Sequence, residues 1–227
     1  MNDERKARLF FGATAVLVTF GLILQFILTI SRDSSLGAFE STPARMLNFF
    51  SFFTVQSNIL VAVTTALLAQ NLDRKSTVFR VLRSDAVICI TVTGVVFHIA
   101  LAGLQELTGW DKLADFVLHT LSPILCALGW LLFGPRRQIT TRIVRLALIA
   151  PVCWLVYAFA YGAVVEDRNG NDYYAYPFMN VQVHGYVVAL VRSALVAALF
   201  LGLSFAALAA DRRLRGVQSP AAANTNA

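Results

Sequence analysis

Residues 49–68 read FFSFFTVQSNILVAVTTALL, an uncharged run from Phe49 to Leu68. A helix needs about 20 apolar residues to cross the hydrocarbon of a bilayer, and this run has that length. At about 100° per residue, Ser51, Thr54, Asn58 and Thr65 fall within roughly a 60° arc, while Gln56 points away. Hydroxyls and amides in hydrocarbon need partners inside the protein, so this stripe is expected to face the centre of a helical bundle. Such groups also bond their own backbone or a neighbouring helix, so the stripe alone is compatible with plain packing.

The composition agrees with a membrane setting. Of the 227 residues, 57% are hydrophobic and 14% charged, where a soluble domain carries about 25% charged residues. Six apolar segments stand out, at 9–31, 46–70, 84–106, 114–133, 142–164 and 185–209. Each is long enough to span with some tilt. The expected fold class is therefore all-α: a bundle of six transmembrane helices over residues 1–210, with a disordered tail over 211–227. The apolar core of the first segment outruns the h-region of a signal peptide, so an uncleaved anchor is expected. The net charge of +6 lies in short blocks between apolar runs, which argues against nucleic acid as its purpose.

Those blocks alternate. The N-terminus, second loop, fourth loop and tail carry Arg5, Lys6, Arg8, Arg74, Lys75, Arg80, Arg83, Arg136, Arg137, Arg142, Arg212, Arg213 and Arg215. The first, third and fifth loops carry only Arg32, Arg45, Lys112 and Arg168. The positive-inside rule then places both termini in the cytoplasm. Cys89, Cys126 and Cys153 lie within apolar runs and are expected to be reduced packing residues. Small-residue ladders, Ala158/Gly162 and Ala194/Ala198/Gly202, suit close helix packing. The fifth loop carries Tyr173, Tyr174, Tyr176 and Phe178, either as an interfacial aromatic belt or as a cap over an outward-facing cavity.

With this orientation, positions become depths. At 1.5 Å per residue, Thr54, His98, His119 and Arg192 lie roughly 8–12 Å below the outer surface. Asp115 precedes His119 by one helical turn and can orient its ring. Pro123 has no N–H for the His119 carbonyl, so a local bend is expected there. Arg192 is costly in lipid and must face inward, with Glu106, Asp115 and Glu166 as candidate partners. An intramembrane His or Arg is often only a structural hydrogen-bonder. Several at one depth instead suggest a polar pocket open toward the outer leaflet.

A Thr hydroxyl becomes a nucleophile when a neutral His takes its proton. Thr54, His119 and Asp115 could supply nucleophile, base and orienting group, and Arg192, Asn58 or His98 could stabilise an oxyanion or bind substrate. No metal or cofactor is expected: HExxH-type zinc spacing and redox and nucleotide motifs are absent. The partner expected is a membrane lipid or lipid-like ester.

At these residues a family likeness enters. FFTVQSNIL in the second span, LHT in the fourth and the YPF of Tyr176, Pro177 and Phe178 resemble the androgen-induced-protein family of six-span membrane proteins, and most closely its bacterial branch. The resemblance implies an intramembrane threonine hydrolase of fatty-acid esters, with Thr54 as nucleophile and His119 as its partner, in the plasma (inner) membrane of a bacterium. The alternative is a lipid-binding or transport protein that uses the same pocket without chemistry.

Overall fold

The computed structural model describes residues 3–33 and 37–214, and those residues are almost entirely helical. In chain order the helices are α1 (Asp3–Ser31), α2 (Thr42–Ser51), α3 (Phe53–Gln70), α4 (Thr77–Val96), α5 (Gly109–Phe116), α6 (Ser122–Phe133), α7 (Thr141–Ala147), α8 (Ile149–Val164) and α9 (Val181–Arg213). π-Helical turns follow α4 (Phe97–Leu101) and α5 (Val117–Leu121), and a 3-10 turn (Pro177–Met179) precedes α9. Six helical stretches are long and apolar enough to cross a membrane. The chain is thus built as a multi-pass membrane protein. α9 extends to Arg213, into the stretch expected to be a tail, and residues 215–227 lie outside the described residues.

α4 sits at the centre, packed against α3, α6, α7 and α9, while α1 lies along α3 and α5. The stretch containing α4 buries 56% of its most apolar window, against 17% for that containing α7 and α8, so α8 is a peripheral wall. One end of the bundle gathers the two ends of the described chain and the basic loops. There Arg8 donates to the Ala69 and Gln70 carbonyls, Arg83 lies over the Phe11 ring, and Asp211 accepts the Ile139 N–H at 2.8 Å. The other end is loop-rich. Arg32 meets Asp111 at 2.7 Å there, and the Arg168 N–H donates to the Ala38 carbonyl.

The second apolar segment is not one continuous helix. Phe52 is extended, with φ −69° and ψ 131°, and separates α2 from α3 immediately before Thr54. The expected stripe is nonetheless buried on both sides of the break, at Ser51, Thr54, Asn58 and Thr65. Near Pro123 the helix widens into a π-turn that ends at Leu121. α4 carries Gly94 opposite that proline, and this allows the two spans to approach closely. The small-residue ladders divide: Gly162 packs against the Tyr174 ring, whereas Gly202 faces open space. The expected close packing of Ala194, Ala198 and Gly202 is thus absent within this chain, and Ala194 and Ala198 are exposed as well.

Gly94→Ala should therefore destabilise the bundle. Its Cβ would stand 2.9 Å from Pro123 Cβ, and a proline ring cannot rotate out of the way. Such overpacking costs about 1–3 kcal/mol, measurable as a lower unfolding midpoint in detergent. Gly202→Ala, in open space, should leave the midpoint unchanged or slightly raised.

Candidate functional site

A helix broken inside hydrocarbon exposes backbone groups that water cannot reach, so other parts of the protein must satisfy them. The Ser51 carbonyl, at the end of α2, accepts the Trp154 indole N–H at 3.0 Å. Ser51 Oγ donates to the Leu47 carbonyl and sits 2.5 Å from the Tyr157 hydroxyl. On the α3 side, the Phe53 N–H donates to the Tyr176 hydroxyl at 3.0 Å, and the N–H and side chain of Thr54 face the same phenol oxygen. Tyr176 is buried, with Trp154 and Phe52 packed edge-on to its ring. Burial pushes its phenol up to about 12, against the lowering effect of Thr54. Tyr176 is therefore neutral at physiological pH and serves as a hydrogen-bonding group, not as a base.

One turn further on, Asn58 is fully buried. Its amide donates to the Thr54 carbonyl at 2.8 Å and to the Leu118 carbonyl at 3.2 Å. Leu118 lies in the π-turn that carries His119, so Asn58 ties that turn to the threonine-bearing helix. Ser57 adds a donor to the Thr54 carbonyl at 3.0 Å and pairs with Thr93 on α4 at 3.2 Å.

Thr54 lines a cavity of about 220 Å³. This exceeds the roughly 150 Å³ apolar void that holds a benzene in another protein. The walls come from α3, α4, α8, α9 and the Pro177–Met179 turn, and they are apolar apart from Thr54, Thr93, Ser193 and Tyr176. They run from Tyr176 and Phe178 near the loop-rich end to Leu148 and Phe200, closer to the basic end. Val152 and Leu201 line the cavity yet remain 57% and 43% exposed on the outer surface, which opens it sideways between α8 and α9. The aromatic residues of the fifth loop divide accordingly: Tyr176 and Phe178 close the cavity, while Tyr173 stacks edge-on with Phe39 and Tyr161.

The imidazoles lie outside this lining. His119 Nδ1 is 2.9 Å from an Asp115 carboxylate oxygen and 3.2 Å from the Asp115 carbonyl. Both are acceptors, so Nδ1 carries the proton of the neutral ring and Nε2 keeps its lone pair. The ring stacks face to face on Phe97, with centroids 4.2 Å apart and planes at 15°. Phe97 itself lines the cavity, so His119 stands one ring behind its wall. Among the described residues no hydrogen bond joins His119 to Thr54. His98 is exposed on the bundle surface, and Arg192 is half-buried next to the cavity-lining Ser193. Arg192 forms no hydrogen bond or ion pair with the described residues, and Asp115, one of its expected partners, is taken by His119.

The structure thus gathers Thr54, Asn58 and the π-turn of His119 around Tyr176 and Phe97, and leaves His98 and Arg192 aside. Tyr176, Phe97 and Ser57 were not singled out by spacing. The sequence signals for Tyr176 were the aromatic run of the fifth loop and the YPF element within it. Compared with protein-family models, curated proteins and solved structures, the chain has no match.

Tyr176→Phe keeps the ring and removes the acceptor of the Phe53 N–H. Leaving that group unsatisfied should cost about 1–3 kcal/mol, read as a lowered unfolding midpoint. Tyr186→Phe, at a position 70% exposed, should have no such effect.

Proposed function

We propose that the protein is an intramembrane threonine hydrolase whose substrate is a lipidic ester. The acyl chain enters sideways between α8 and α9, fills the apolar cavity and presents its carbonyl to Thr54. The observation that carries this proposal is the position of Thr54, a hydroxyl beside Tyr176 in the wall of a mainly apolar cavity that reaches the outer surface. His119 is the base: Asp115 holds its Nδ1–H, and its Nε2 is free to accept the threonine proton. For transfer, the Phe97 ring must swing away from the imidazole as substrate enters. Phe97 begins a π-turn, a local widening common where a helix serves function. The resemblance to the androgen-induced-protein family supports the same two residues.

A specific observation favours the non-catalytic alternative of lipid binding or transport. Thr54 is already engaged by Tyr176, and Phe97 covers His119. The two proposals separate on turnover. Purified protein in detergent should hydrolyse a long-chain p-nitrophenyl ester, and with the exposed His98 replaced by Gln, so that the cavity alone is scored, Thr54→Ala should lower the rate by at least about 100-fold without changing the unfolding profile. Co-purified lipid with equal, near-background turnover in both proteins would establish a binder instead.

The same proposal places the basic end of the bundle in the cytoplasm of a bacterial cell, because lysine and arginine concentrate in cytoplasmic loops. A reporter active only in the cytoplasm should be active when fused to the C-terminus and inactive when inserted at the exposed Gly103, in the loop after α4. The reverse pattern would invert the topology.

A further inference from the structure

Outside the cavity lies a second hydroxyl–imidazole pair, formed by Thr120 and His98. His98 sits in the π-turn after α4 and Thr120 in the π-turn after α5. His98 Nδ1 is 2.8 Å from the Gly94 carbonyl, and Nε2 is 3.3 Å from Thr120 Oγ1. A carbonyl can only accept, so in the neutral ring Nδ1 is the donor and Nε2 the acceptor. The hydrogen bond therefore runs from the Thr120 hydroxyl to a basic nitrogen. That nitrogen's ring is held in orientation by a third group, the arrangement that activates a hydroxyl nucleophile.

Thr120, like Thr93, differs from the back-bonding threonines of these helices. Thr14, Thr29, Thr64, Thr65 and Thr91 each donate to the carbonyl four residues back, at 2.6–2.9 Å. The Thr120 hydroxyl instead turns across to another helix. The pair also reaches the surface: His98 is exposed and Thr120 half-buried, while Ile99, next to His98, is 81% exposed and Phe116, one turn before Thr120, 48%. Neither member lines the cavity.

We propose that Thr120 and His98 form a second nucleophile–base site, open to the membrane-facing surface, that takes the acyl ester of a lipid arriving within the bilayer. Thr120 Oγ bonds to the ester carbonyl carbon as its proton passes to His98 Nε2, and the carbonyl electron pair moves onto oxygen. Collapse of that intermediate breaks the ester C–O bond, and the departing alkoxide takes the proton from Nε2 and leaves as the alcohol. Water then attacks the acyl-threonine and gives a proton to Nε2. Thr120 recovers that proton as the carboxylic acid is released.

The test is covalent labelling of the full-length protein in detergent with a long-chain alkyl fluorophosphonate, followed by tryptic mapping. Cleavage after Lys112 and Arg136 isolates Thr120, and cleavage after Arg45 and Arg74 isolates Thr54, so the two sites are scored separately. The label is expected on the 113–136 peptide. It should be retained in Thr120→Ser and Thr54→Ala, lost in Thr120→Val, and formed about 100-fold more slowly in His98→Gln. Each variant is scored only on its monodisperse fraction, so a folding failure is not read as a chemical one. An unlabelled 113–136 peptide in monodisperse wild-type protein would overturn the proposal. So would labelling in His98→Gln at the wild-type rate. Label confined to the Thr54 peptide would overturn it while supporting the cavity site.

Discussion

The organisation of this bundle depends on how a backbone interruption in an apolar setting is satisfied. At Phe52 the helical ladder stops, and the first N–H groups of α3 lose their intrahelical partners. Each such group left bare in hydrocarbon costs several kcal/mol, so the break persists only because a fixed acceptor meets it. That acceptor is the Tyr176 phenol, delivered from a loop more than a hundred residues further along the chain. Trp154 performs the corresponding service for the Ser51 carbonyl on the α2 side.

This arrangement determines what surrounds Thr54. An uninterrupted helix would leave the threonine among ordinary buried hydroxyls such as Thr64 and Thr65, which bond back to their own backbone. Because α3 begins at Phe53, Thr54 stands in its first turn, beside Tyr176 and at the wall of an apolar cavity. Asn58 carries the effect onward, since its amide links the Thr54 carbonyl to that of Leu118. The π-turns complete the pattern. His98 and His119 lie on these turns, with the Phe97 ring packed against each of them.

Much of this was legible in the sequence. The six spans follow from runs of apolar residues, and the buried stripe of Ser51, Thr54, Asn58 and Thr65 follows from helical spacing. The Asp115–His119 contact is a local, one-turn relation. The break at Phe52 was not legible, because FFSFFT contains no Gly or Pro, and the partners that permit it come from α8 and the fifth loop. The π-turn near Pro123 announces itself only as a missing N–H, and that of Phe97–Leu101 has no local breaker at all. The role of Thr120 has no local signal either, because its hydroxyl bonds a residue on another span. Arg192 marks the limit of reasoning from depth: burial cost implies an inward partner, yet the side chain stays half-buried beside Ser193 without one among the described residues.

The proposed occupant of the cavity is an acyl chain whose polar end lies at Thr54. Photo-crosslinking with two fatty-acid ester probes, one bearing a diazirine next to the carboxyl group and the other at the chain terminus, tests it most directly. The first probe should mark residues around Thr54 and Tyr176, and the second should mark Leu148 and Phe200, at the far end of the lining. Adducts confined to outward-facing positions such as Val164, Val187 and Leu195, with no difference between the probes, would contradict it.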